Sequence, residues 1–280
     1  MSEFAVALVL SAAVLHATWN AIVKGTRARA LVLAAVAGTH GTVGLLMLLW
    51  FELPQPASWP YIAASATTHY GYYYFLSLAY KWGDLSRVYP ISRGIAPLLV
   101  SLGALIFAGE QLSALGWGGV ALVSAGICLL AFFSKGPSVP DPRSTGAAVA
   151  TGLIIASYSV IDGIGVRLSG SPFGYIGWLF FTEFLVTLFV LARLKPRFTP
   201  EVRATLRVGY LGGLCAVAAY ALVIYANTLA PLGMVSALRE SSVIIAALFG
   251  VVIFRERPWI SRLAAAVTVG AGVLVLTLTR

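Results

Sequence analysis

Charge is what this sequence has least of. Asp, Glu, Lys and Arg make up 10% of its 280 residues, where a soluble domain carries roughly 25%. So few charges cannot cover a folded chain with a wetted surface, which excludes a free-standing soluble domain. Cysteine is nearly absent too. Cys128 and Cys215 both lie within apolar runs, where they read as packing residues and not as a disulfide or metal pair. The three histidines, His16, His40 and His69, are not spaced to bind zinc from one helix, so no metal site is expected. No phosphate-binding glycine loop, nucleophile elbow or metalloprotease motif appears. That argues against an ATP-driven pump and leaves no cofactor to expect.

Long apolar runs take the place of charge. Hydrophobic residues are 59% of the chain and mean hydropathy is +0.90. A membrane-spanning helix needs ~20 mostly apolar residues, and the pattern predicts ten, near 3–23, 30–51, 57–80, 85–108, 113–133, 146–167, 173–193, 205–226, 231–254 and 260–279. The chain is thus read as an all-α polytopic membrane protein bathed in lipid. Met1 to Phe4 carries no Lys or Arg, so the first run is expected to stay in place as a helix and not to be a signal peptide.

Residues 134–145, SKGPSVPDPRST, form the longest polar stretch and read as a linker. They separate a first five-helix repeat, 1–133, from a second, 146–280, within one integrated domain. The repeats match in order. Tyr74 pairs with Tyr220, Arg93 with Arg239, Glu110 with Glu256 and Gly126 with Gly272, each 146 residues apart. The openings correspond as well, with Ala17, Trp19 and Ile22 to Lys24 facing Ala156 to Asp162 at a separation of 139. Five is odd, so the second unit must enter the membrane upside down. Inverted repeats are a common architecture of alternating-access carriers, with the site near the midplane between them.

A formal charge of +9 would suggest nucleic acid as the partner of a soluble protein. Here the cations sit in short gaps between spans, so no nucleic-acid partner is expected. Fifteen of the nineteen Lys and Arg residues fall beside the loops after spans one, three, five, seven and nine, and only Arg167 and Arg280 on the other side. By the positive-inside rule both termini lie outside the cytoplasm. A bacterial-type inner membrane is the expected location, and the chain is expected to work as a monomer.

The AxWN opening (Ala17 to Asn20), LIFAGEQLSALGWGGVALVSAG (Leu105 to Gly126) and VIFRERPWISRLAAAVTVGAG (Val252 to Gly272) resemble the drug/metabolite transporter superfamily in its EamA-like branch. The resemblance covers nearly the whole chain. It implies export or exchange of small metabolites, amino acids among them, through a central cavity. It also implies cytoplasmic termini in many relatives, from which the Lys/Arg count departs.

Ionisable groups within spans are costly and are functional candidates by default. Arg93 and Arg239 lie three or four residues short of their span centres, where inversion would bring them together. Two guanidinium groups on one cavity suit an anion held bidentately; the other reading pairs each with Glu183, Glu240 or Asp162. Those three acids are the proton-coupling candidates. Glu240 leads, because it projects about 100° around the helix from Arg239, whereas Asp162 lies near a helix end where water can reach it. Pro97 and Pro90 remove the helical partners of the Arg93 and Ser86 carbonyls, so Pro90, Gly94 and Pro97 form either a substrate-facing hinge or a packing kink. His16 shares a face with Trp19 and Asn20, and His69 with Tyr72 and Tyr73. With Tyr70 and Tyr74 they make a wall for a small solute, or an interhelical hydrogen-bond set. The sequence therefore predicts a secondary transporter of small zwitterionic or anionic solutes, most plausibly amino acids. A carrier of organic cations is the alternative. An intramembrane enzyme is the rival from another class, without a catalytic motif to support it.

Overall fold

Backbone polar groups in lipid must be satisfied within the protein, and a helix does this locally. The chain folds accordingly. Its structure, a computed structural model, describes all residues except 25, 27, 83–84, 134–140, 198, 246–258 and 279–280, and leaves undescribed the side chains of 23, 24, 29, 73, 77, 80, 85–87, 133, 259 and 261. The helices are α1 (Glu3–Lys24), α2 (Arg29–Trp50), α3 (Trp59–Trp82), α4 (Leu85–Phe107), α5 (Ala114–Phe133), α6 (Pro142–Leu168), α7 (Pro172–Thr182), α8 (Phe184–Leu194), α9 (Pro200–Ala226), α10 (Leu232–Arg239) and α11 (Trp259–Leu278). No strand occurs among the described residues. Seven segments are long and apolar enough to cross a membrane, with α7 and α8 counted as one. With α3, α11 and the segment opened by α10 they make ten spans in two inverted five-helix repeats.

Helix starts follow local chemistry more closely than hydropathy does. The sixth span begins at Pro142 and not at 146, because the Asp141 side chain accepts from the Arg143 N–H at 2.8 Å and Pro142 presets the first turn. The eighth begins at Pro200 and not at 205, where the Thr199 hydroxyl accepts from Val202 N–H at 3.4 Å. Two spans expected to be unbroken are interrupted. The seventh divides at Thr182–Glu183, and the ninth turns at Glu240–Ser241, where Glu240 N–H and Ser241 N–H reach back only three residues, to Ala237 and Leu238. The helix resumes over 242–245.

The packing has the symmetry of the sequence repeat. Helices α5 and α11 lie against each other, as do α2 and α7, and α4 and α10. Each pair joins equivalent spans across a two-fold axis. A Cβ on Gly126 would come within 2.9 Å of the Val269 backbone N, and one on Gly272 within 2.8 Å of the Val123 N. Those four positions are two pairs 146 residues apart, so the contact is reciprocal, as at an isologous interface. The first helix of each repeat crosses over: α6 packs on α3 and α4, and α1 on α9 and α10. The loops after spans two, four, six and eight meet on one face. Gln55 N–H donates to Ser169 O at 2.8 Å and the Ser171 hydroxyl to Glu52 O at 3.0 Å.

Candidate functional site

Helices α4 and α10 bring the two embedded arginines to one carboxylate. Arg93 Nε donates to Glu240 Oε2 at 3.2 Å, and its Nη2 lies 2.7 Å from Oε1, off the hydrogen-bonding axis. Arg239 Nε stands 3.7 Å from the same Oε1. All three side chains are buried, Glu240 at 0% exposure. The expected convergence occurs, but Glu240 is not detached from the arginines: it faces Arg93 with both oxygens and touches Arg239 with one. The turn at Glu240–Ser241 causes this, since it re-aims the carboxylate away from the helical direction on which its independence was expected.

Arg239 is left with spare donors. Its Nε and Nη2 have no hydrogen-bond partner among the described residues, nor has the buried Ser236 hydroxyl one turn earlier. Arg239 and Ser236 border a small cavity shared with Asp162, Tyr220 and Asn227 and with the apolar Ile224, Leu232 and Val235, with room for about one water. Buried donors are almost always satisfied, so the two unpartnered nitrogens of Arg239, beside a cavity that also holds Asp162, mark a place for an acceptor.

Asp162 is not wet. It is 1% exposed, because α6 runs on to Leu168 and the side chain turns inward between α7 and α9. Its oxygens accept from Tyr175 OH at 3.0 Å and Tyr220 OH at 2.6 Å. Among the described residues no Lys or Arg forms an ion pair with it. The His69 ring stacks on Tyr158 at 4.2 Å and meets Tyr220 edge-on at 5.7 Å, and Tyr72 meets Tyr158 at 6.2 Å. Tyr158 meets Tyr220 edge-on at 6.2 Å and lies within electrostatic range of both arginines, Glu240 and Asp162.

The remaining candidates divide. His16 faces both arginines electrostatically; its Nδ1 accepts from Trp19 Nε1–H at 3.2 Å and its carbonyl from Asn20 at 2.7 Å. Tyr70 lies apart, donating to Thr182 O at 3.0 Å, where the break in the seventh span frees that carbonyl. Glu183 sits at the same break, within electrostatic range of His40 and Tyr70. Tyr74 is 60% exposed and packs its ring on Phe75, away from both centres. The Tyr73 side chain and Glu256 lie outside the described residues. Pro90 and Pro97 leave α4 helical throughout, and Gly94 serves close approach, since a Cβ there would meet Cys128 Sγ at 2.5 Å.

Tyr158, Tyr175, Tyr220 and Ser236 were not singled out from the sequence as site residues. Two of them had a signal. Tyr220 is the repeat mate of Tyr74, and Tyr158 of Trp19. Tyr175 and Ser236 had none.

The sequence matches the EamA-like transporter family twice, over residues 3–132 and again over 145–278. The chain belongs to that family. Each match covers one repeat of this EamA-like chain and together they cover almost all of it. A Sinorhizobium sp. protein described as an uncharacterized transporter in cobO 3′region is 37% identical over 84 residues, which are 29% of this chain and 57% of that protein. The match therefore spans little more than half of that relative's length. A protein of known crystal structure superposes over 99% of this chain and 98% of its own with TM-score 0.78 at 21% identity, which supports the fold alone. The chain is thus a multi-pass membrane protein of a transporter family.

Proposed function

We propose that this EamA-like protein is a secondary transporter of small zwitterionic metabolites, most plausibly amino acids, working by alternating access. One observation carries the reading: Asp162 and Arg239, whose Nε and Nη2 lack a hydrogen-bond partner among the described residues, line the same cavity. A carboxylate and a guanidinium facing one space complement a solute that carries an ammonium and a carboxylate. The guanidinium takes the solute carboxylate. Asp162, with the His69, Tyr158 and Tyr220 rings around it, takes the ammonium. The cavity is closed around about one water, so loading requires α10 to move relative to α6 and α9.

Energy coupling follows from the same pair. Glu240 is committed to Arg93, which passes the coupling role to Asp162, where a proton and the solute ammonium compete. The aromatic surroundings of Asp162 also favour the second reading, a carrier of organic cations. Uptake into proteoliposomes separates the two. Amino acids that lose transport on Arg239→Gln support the first, whereas organic-cation uptake indifferent to that substitution supports the second. We place the chain in the inner membrane with both termini extracytoplasmic, on the Lys/Arg asymmetry. A reporter fused at Arg280 that reads as cytoplasmic reverses this orientation.

A further inference from the structure

The face carrying the loops after spans two, four, six and eight holds an ionic knot at the edge of the cavity, tying Asn227 and Leu232 of its lining. Arg167, in the last turn of α6, uses all three nitrogens. Nε donates to Asn227 O at 2.7 Å, Nη2 donates to Ala230 O at 2.9 Å, and Nη1 lies 2.6 Å from Glu110 Oε1. The other Glu110 oxygen, Oε2, accepts from Leu232 N–H at 2.7 Å. Leu232 is the first residue of α10, and Pro231, at its N-cap, supplies no side-chain cap. Glu110, from the opposite repeat, caps it instead, which suits a carboxylate at a helix N-terminus.

Glu110 is itself held firmly. Gly109 adopts φ +67 and Glu110 N–H returns to Ala104 O at 3.1 Å, the left-handed glycine closure that ends α4. The knot thus ties the rigid end of α4 to the ends of α6 and α9 and to the start of α10. Leu232 is seven residues, or roughly 10 Å, from Arg239 along α10. Both charged side chains keep contact with solvent, at 32% and 13% exposure, so water can replace their bonds when the knot opens. A permanent rivet in the interior would not have that exchange available.

We propose that Glu110 and Arg167 are the gate of this face, closed in the structure, and that breaking the pair frees the start of α10 and opens a path to the cavity beside Arg239. The inference rests on the alternating-access reading, but its test needs no solute, so the two can fail separately. Thiol labelling reads it directly. In a Cys128→Ala, Cys215→Ala background, Ser236→Cys places a thiol at the cavity, and an impermeant maleimide is applied to vesicles of either orientation. With the knot intact, labelling from the even-loop face is slow. Arg167→Ala accelerates it about ten-fold or more from that face alone, the scale of losing charged hydrogen bonds. Glu110→Gln, which keeps an acceptor for Leu232, accelerates it less, and Arg167→Lys, which keeps the charge but not the three-way fork, falls between. Labelling that is unchanged in all three variants, or raised equally from both faces, makes the knot a structural rivet and overturns the gate.

Discussion

Arg93 and Arg239 occupy equivalent places in the two repeats, yet they live differently. Arg93 sits in an unbroken helix and engages Glu240 through Nε and Nη2. Arg239 ends a helix that breaks at the next residue, reaches Glu240 only at 3.7 Å, and has two nitrogens, Nε and Nη2, without a hydrogen-bond partner among the described residues, where Arg93 has one, Nη2. Symmetry supplied two guanidinium groups to one carboxylate, which lies closer to Arg93 than to Arg239. The difference teaches that in an inverted repeat two equivalent residues can divide one partner unequally, one held closely and the other at a distance. The paired copy becomes the scaffold that holds the partner still.

The largest effect separates these roles outright. Arg93→Ala strands Glu240 in the interior, and removing one member of a buried pair costs about 3–5 kcal/mol. Its thermal melting in detergent should fall well below the parent, with Arg93→Ala, Glu240→Gln recovering part of the loss. Arg239→Ala should melt near the parent while losing solute uptake. Equal melting temperatures for the two Ala variants would break the comparison. Next, Arg239→Lys keeps the charge but not the planar fork, and uptake should stay at least about ten-fold below the parent, the scale of one lost charged hydrogen bond. Full activity would show that a point charge is enough.

Asp162→Asn tests the other end of the cavity. Under the competition of proton and ammonium at Asp162, the variant keeps an acceptor but not the charge, so exchange of labelled solute should weaken, and what remains should no longer concentrate solute in response to an imposed pH difference. Wild-type protein that merely equilibrates its solute at every pH difference would exclude coupling altogether. The smallest effect is expected at Tyr220→Phe. Loss of its 2.6 Å bond to Asp162, with the Tyr175 bond kept, should shift the pH at which uptake is half-maximal, while leaving the expression level intact.

Much of this was legible beforehand because lipid leaves few choices. Span number, the inverted repeat and the meeting of the two arginines all follow from hydropathy, an odd helix count and a fixed spacing. What sequence periodicity could not convey was direction within a broken helix. Glu240 was placed by extrapolating 100° per residue through a turn that does not obey it. Asp162 was judged wet because the helix was expected to stop near it, although Arg167 at its end is satisfied by the carbonyls of Asn227 and Ala230. The choice of Tyr74 over Tyr220 failed for a related reason. Equivalent residues share a register, but α3 turns Tyr74 outward while α9 turns Tyr220 onto Asp162. Arg167 itself was counted only as a topology signal, since nothing in its neighbourhood reveals a bond to Glu110, 57 residues away.

The crossing-over of α1 and α6 bears on how the protein comes to exist in a membrane. The first repeat leaves the ribosome with one flank of α3 and α4 bare, because the helix that covers them, α6, belongs to the second repeat. Its own α1 in turn waits for α9 and α10. Neither repeat can close its interior alone, so insertion of the first five spans yields a half-built intermediate that persists until translation supplies the rest. A chain interrupted after span five would expose that flank, together with the glycine seam of α5, to lipid and to other nascent helices. The same mutual borrowing means that separately synthesised repeats carry the surfaces needed to find one another. Biogenesis of this fold is therefore closer to the assembly of two subunits than to the folding of one.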